Sequence, residues 1–300
     1  CKIIHEVTRA LWRRLQPAYL PRPTEERFRE VEQSFRTSWQ YYNCAGALDG
    51  KHIRLVCPKK TGTLYFNYKG YYSLVLLAVC DGDYNFIMID VGNYGSLNDA
   101  GIFNSSAFGQ AILNGTVGLP PPKPIVAGGE AMPYVFVGDD AFPLKENLMK
   151  PFSGWNLPRE QAVYNYRHSR ARRVIENTFG ILAHKWRILF RPIHMDPDHA
   201  EWVVKACVVL HNFVRSREGA SENTSVGSLI DREDANGSLI PGAWRDDPHV
   251  GMERLPAARG NGMIRAKAVR ATFAKFFVTD GQVPWQDRML GLGPNGADAE

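Results

Sequence analysis

The sequence predicts an α/β fold: a mixed sheet flanked by helices, with a small helical annex ahead of it. Three observations carry this. Short apolar runs of strand character gather between residues 46 and 144. Two long helical patterns follow, over 165–189 and 199–217. Two amphipathic helical patterns precede the first strand.

Taken in order, residues 2–16 and 24–39 read as the annex helices, split by Pro21 and Pro23. Residues 46–57 (GALDGKHIRLVC) alternate at Ile53, Leu55 and Cys57, which predicts a strand with Asp49 near its start. Residues 65–73 (YFNYKGYYS) form an aromatic turn. The run LVLLAVC (74–80) is apolar throughout and suits a central strand covered on both faces. DGDYN turns the chain into FIMIDVG (86–92), its hairpin partner. A helix is expected over 95–108, with Ser96 as N-cap and Asp99 at the third helical position. The Pro/Gly-rich stretch 112–133 reads as a surface loop, and YVFVGDDAFPL (134–144) as a strand ending in Asp139 and Asp140.

The stretch NYRHSRARRVIENTFGILAHKWRIL (165–189) reads as one helix. Ile175, Phe179, Leu182 and Trp186 make a single buried stripe, and Glu176 lies about a hundred degrees round from Ile175, at the stripe's edge. Val203, Ala206, Leu210 and Phe213 mark a second buried-face helix. Residues 218–262 lack periodicity and are expected to be a flexible insert. Residues 263–278 form a closing helix. The expected organisation is therefore an N-terminal helical segment (1–43), the sheet domain (44–217), the insert (218–262) and a C-terminal helix with tail (263–300).

Three hundred residues with 44% hydrophobic and 22% charged content are ordinary for a globular chain. No run of eighteen apolar residues is present, and no signal peptide is evident. The chain opens on Cys1, so its start is expected to be missing. Five cysteines without a CxxC pair argue against a zinc site or a disulfide framework, and suit a reducing compartment. The net charge is only +5, but Lys150–Arg191 holds nine Lys/Arg against two Asp/Glu, a net +7. Such a local excess is what binding to a phosphate backbone needs; a solvated helix face is the competing reading. Arg170, Arg172, Arg173 and Lys185 are the candidates for phosphate contacts.

Acids fall on the first strand (Asp49), on the crossover helix (Asp99), after the fourth strand (Asp139) and on a later helix (Glu176). This order matches the ribonuclease-H-like fold, in which such carboxylates converge. Hard cations, Mg²⁺ or Mn²⁺, need oxygen ligands, and two of them about 3.5–4 Å apart can stabilise both oxygens of an in-line displacement at phosphorus. Each acid also has a structural reading. Asp49 precedes a turn-forming glycine, Asp99 completes an S-x-x-D box, Asp139 and Asp140 suit a strand end, and Glu176 stands i+4 from Arg172.

These motifs resemble the PIF/Harbinger transposases and their domesticated nuclease relatives, over roughly residues 44–216. The resemblance rests on ALDGKHI (47–53), FNYKGYYS (66–73) with AVCD (78–81), GSLNDAGIF (95–103), VGDDAFPL (137–144), the 164–189 stretch and ACVVLHNF (206–213), with FFVTDGQVPWQ (276–286) as the ending. It implies a DDE-type, metal-dependent DNA endonuclease with Asp49, Asp99, Asp139 and Glu176 as catalytic metal ligands; which three form the triad stays open. It further implies strand nicking, strand transfer by the freed 3′-hydroxyl in a complete transposase, a separate Myb-like DNA-binding partner, and residence in the nucleus, with the cytoplasm as alternative. Ala141-Phe142 departs from the Gly-Tyr the family often carries there. The rival expectation is a catalytically silent module that binds DNA or protein.

Overall fold

The run from Ser73 to Cys80 carries no charge, and a strand of that kind has to be covered on both faces. In the computed structural model of the chain all eight of its residues are buried. The structure describes residues 2–97, 99–218, 227–247, 252–254 and 264–292.

Helices α1 (Lys2–Tyr19) and α2 (Glu25–Trp39) form the annex. The Thr24 side chain caps α2 by accepting from the Arg27 amide, and Phe28, Val31 and Phe35 bury its inner face toward the first strand. Strand β1 (Cys44–Arg54) pairs antiparallel with β2 (Ser73–Cys80), and β2 with β3 (Phe86–Tyr94). The turn between β2 and β3 is built by Asp81, whose Oδ1 accepts from the amides of Asp83 and Asn85.

The helix expected over 95–108 is two helices, α3 (Asp99–Ser105) and α4 (Ala107–Leu113). Ser106 breaks it by capping α4, its Oγ accepting from the Gly109 amide. Helix α3 begins at Asp99, and Ser96 lies in the turn before it, so Asp99 opens the helix where the third position was expected. Within the Pro/Gly loop, β4 (Lys123–Pro124) and β5 (Ala131–Met132) make a small hairpin. Strands β6 (Val135–Val137) and β7 (Leu148–Met149) then join the main sheet.

The strand order is β3-β2-β1-β6-β7, and only β2 runs against the others. That order and polarity, with helices on the sheet, is the ribonuclease-H-like arrangement.

Helix α5 (Arg159–Lys185) starts six residues before and ends four before the expected 165–189. Val163 and Tyr164 bury its first turns, ahead of the stripe that marks it in sequence, and Trp186 leaves helical geometry at φ −110°, ψ 75°. Helix α5 packs on β1, β2, β6 and the closing helix, so it is buried round most of its circumference. Helix α6 (Pro197–Glu218) follows and packs on α1 and β3.

The expected flexible insert is in large part built into the fold. Strands β8 (Arg232–Glu233) and β9 (Leu239–Ile240) form a hairpin, and β10 (Met252–Arg254) pairs antiparallel with Lys51–Ile53. One edge of β1 is thus shared, its first half taken by β6 and its second by β10. Asn177 on α5 fixes this segment: its Oδ1 accepts from the Asp231 amide at 3.1 Å and from Trp244 Nε1 at 3.0 Å. Gly180 lets the Trp244 ring lie on the helix backbone, since a Cβ there would come within 2.6 Å of the indole. The remainder of 218–262 beyond Glu218 lies outside the described residues.

The chain closes with α7 (Ile264–Phe277) and α8 (Gln286–Met289). Phe273 and Phe277 meet Tyr41, and buried Arg167 of α5 donates to the Gly281 carbonyl at 2.7 Å and to Gln286 Oε1 at 3.2 Å. One continuous core holds residues of α2, the sheet, α5, α6 and α7.

Candidate active site

The sheet register sets Asp49 beside Asp139. Ala47 of β1 pairs in parallel with Val137 of β6, and each acid lies two residues further along, on the same face as that pair. Asp139 has left the ladder, and its Oδ1 accepts from the Ala141 amide at 2.9 Å. Gly138 before it can carry no side chain, because a Cβ would meet the Phe142 ring at 2.9 Å.

Glu176 reaches the same place from α5, which packs over β1. Its Oε1 stands 2.5 Å from Arg172 Nη1, with side chains 6% and 15% exposed. Arg172 ties the acids together. Burial pulls its pKa down, but the carboxylates of Glu176, Asp49 and Asp139 outweigh that and raise it. Asp139 shows the complementary effect. Burial first, and the Asp49 carboxylate second, push its pKa up to about 6, against the pull of Arg172.

Two further side chains serve the cluster. Lys51, two residues along β1 from Asp49 and on the same face, brings Nζ to 3.4 Å from Asp49 Oδ2. His168 Nε2 donates to the Gly138 carbonyl at 2.7 Å, tethering the Asp139 turn to α5. Burial takes the His168 pKa down to about 3, so it is neutral at physiological pH and cannot be a cationic phosphate contact. Lys51 was legible through strand alternation; the His168 tether joins residues 30 apart and has no local signal.

Glu176 pairs directly with the Arg172 guanidinium, and the charges of Asp49 and Asp139 act on the same group through space. The Asp99 side chain lies outside the described residues. Among the described residues no three of His, Cys, Asp and Glu are arranged to hold one ion between them.

Two of the expected phosphate-contact arginines are committed elsewhere. Arg170 is buried and gives Nε and Nη2 to Glu233 at 2.9 and 2.6 Å. Arg173 Nη1 reaches the other oxygen of the same carboxylate at 3.0 Å. Arg172 is the partner of Glu176, so only Lys185 of the four is exposed. The correction has a simple cause. Part of the +7 counted along 150–191 is offset in space by acids distant in sequence, Glu233 for Arg170 and Arg173, and Asp287 for Arg159.

Residues 48–212, more than half of the chain, match the family model described as DDE superfamily endonuclease. The chain belongs to this family. Its relatives identify the branch as Harbinger-derived. Protein ALP1-like of Arabidopsis thaliana is 29% identical over 63% of this chain and 47% of its own length. The Arabidopsis thaliana protein Antagonist of Like Heterochromatin Protein 1 is 26% identical over 64% and 49%. The Homo sapiens protein named "Putative nuclease HARBI1" is 28% identical over 56% and 44%. The chain spans about half the length of the curated relatives it matches. No solved structure matches it.

Endonucleases of this superfamily generally use divalent metals, and the donor set here fits a hard cation. All three side chains offer carboxylate oxygens. Asp49 Oδ2 is buried and accepts no hydrogen bond, with Lys51 Nζ 3.4 Å away, and the Asp49 carboxylate raises the pKa of Asp139. The fit requires Arg172 to withdraw from the centre it compensates.

Proposed function

We propose that this chain is a metal-dependent DNA endonuclease of the Harbinger transposase type, which hydrolyses phosphodiester bonds and nicks strands. The observation that supports the reading is the Arg172–Glu176 pair on α5, whose guanidinium also feels the Asp49 and Asp139 carboxylates at the ends of two neighbouring strands. Asp49, Asp139 and Glu176, with Asp99 as the helix-borne fourth ligand, would hold Mg²⁺ or Mn²⁺. Bound there, such ions supply Lewis-acid stabilisation of the attacking and leaving oxygens of an in-line displacement. The protein's own part is positioning. His168 and the Ala141 amide fix the Asp139 turn, and Lys51 holds Asp49 while lending positive charge beside the phosphate. Arg172, once released from Glu176, is set to pair with a phosphate oxygen. A Myb-like partner supplying sequence choice, and action in the nucleus, belong to the same proposal.

The test is plasmid relaxation by purified protein with Mn²⁺. Glu176→Gln keeps the shape and removes the charge, so nicking should fall by orders of magnitude while DNA binding holds or improves. Nicking at the wild-type rate by this variant would defeat the assignment.

A second reading has its own support. Arg172 neutralises the acids without a cation, and one relative is named as an antagonist of a heterochromatin protein. A protein-binding module with retained acids would nick in neither form.

A further inference from the structure

Next to Glu176, Trp244, Arg245, Met252 and Glu253 close over β1 and α5 to leave a cavity of about 410 Å³. Its walls are of two kinds. Phe179, Met252 and Trp244 are apolar, while Lys51, Lys69 and Arg245 bring in positive charge and Glu176 and Glu253 negative charge. The volume lies within the range of about 300–1,000 Å³ usual for small-molecule sites.

The aromatic wall is held in place. Trp244 is tied by Nε1 to Asn177 and backed by Gly180. Arg245, 4.6 Å from the Trp244 ring centroid, is itself bound to buried Asp231. The cations are placed as well. Lys51 Nζ stands between Asp49, at 3.4 Å, and the Phe179 ring centroid, at 5.5 Å. Lys69 Nζ is at 2.9 Å from Glu253, a carboxylate it shares with Arg54. Next to Lys69, Tyr68 is 59% exposed, extending the aromatic surface outward.

A planar ring with a negative charge at one edge suits a box of this kind, and an unpaired nucleotide has that form. A base still paired in a duplex cannot enter. Taking a base out of the stack costs least where it is already unpaired, and stacking on aromatic side chains repays part of that cost. We propose that this cavity receives one unpaired nucleotide adjoining the phosphate at Glu176, its base against Trp244 and Phe179 and its own phosphate toward Lys51 and Lys69. The proposal rests on the endonuclease reading for the nature of its ligand, and makes Trp244 and Met252 part of the substrate site.

The experiment measures binding alone. The full chain is titrated, in metal-free buffer, into a duplex with a single bulged 2-aminopurine and into the matched duplex without the bulge. The bulged duplex should bind about tenfold or more tightly, with 2-aminopurine emission quenched by stacking. Trp244→Ala should lose both the preference and the quenching, with matched-duplex affinity unchanged, whereas Trp244→Phe should keep most of each. Because Trp244 also packs on Gly180, Lys69→Ala at the surface is the control for folding. It should weaken the bulged duplex more than the matched one. Equal affinity of the wild type for the two duplexes overturns the proposal, as does a preference that survives Trp244→Ala or an equal effect of Lys69→Ala on both. Since no cleavage is involved, loss of nicking activity leaves this result standing, and failure here leaves the endonuclease reading intact.

Discussion

Glu233→Gln is the sharpest test of how this fold holds its central helix. The Arg170 side chain is 3% exposed and that of Glu233 is 13% exposed, so the pair is sheltered from solvent screening. Among the described residues Arg170 Nη1 has no hydrogen-bond partner, and the other acceptor of the guanidinium is Gln40 Oε1, at 3.1 Å from Nη2. Removing the Glu233 charge leaves a guanidinium inside the protein with neutral acceptors only. Breaking one side of a buried ion pair typically costs about 3–5 kcal/mol, whereas replacing both sides with apolar groups can be nearly neutral. Taking about 2–4 °C per kcal/mol for a chain of this order of size, Glu233→Gln should lower Tm by roughly 6–20 °C. The pair Arg170→Met with Glu233→Met should cost clearly less than the sum of the single changes, measured by thermal and urea denaturation. A Tm loss of under about 2 °C for Glu233→Gln is the size of a surface substitution. That result, or strict additivity in the cycle, would refute the buried-pair account and return Arg170 to the set of available phosphate contacts.

Two further outcomes follow from the acid cluster. Asp139 has its folded pKa raised from 3.8 to about 6, so the fold favours its protonated form. That contribution to stability is complete below about pH 3.8 and is lost as pH rises through about 6. In EDTA, wild type should therefore lose Tm relative to Asp139→Asn between about pH 3.8 and 6, and Mn²⁺ affinity should fall as pH drops through 6; a difference curve flat with pH would contradict this. His168→Ala leaves the Gly138 carbonyl without its donor, at a cost of about 1–3 kcal/mol in denaturation, and should also slow nicking. His168→Gln, able to donate to that carbonyl, should recover part of both, and equal loss in the two variants would reduce the His168 tether to packing.

How much of this was legible depends on how local the cause was. Ser73–Cys80 announces itself because a run without charge has one structural solution. The order of the acids was legible because strand and helix periods are local, and the register then sets Asp49 beside Asp139. The start of α5 was missed because the stripe was begun at Ile175, although buried Tyr164 lies on the same face three turns earlier. The 227–254 segment was illegible for another reason. A polar, aperiodic stretch reads as unfolded until its partners are known, and those partners, Arg170, Asn177 and Gly180, lie 54 or more residues back. The same distance hides the neutralisation of the basic excess, since counting charge along a chain assigns every arginine to solvent.

Glu176 joins these two kinds of legibility. Its spacing from Arg172 offers a salt bridge, and its place after three acids offers a metal ligand, as rival explanations of one residue. On the proposed endonuclease reading they are consecutive states of one site. Carboxylates buried this close cannot all ionise without a positive charge among them. Arg172, one helical turn before Glu176, supplies that charge within the chain and raises its own pKa in doing so. A cation entering the cluster therefore replaces an existing counter-charge, and its binding energy is reduced by whatever Arg172 gives up on leaving. A phosphate offers the displaced guanidinium a bidentate partner as good as the one it lost. On this argument metal and DNA strengthen each other's binding through Arg172, and the acids stay quiet until both are present.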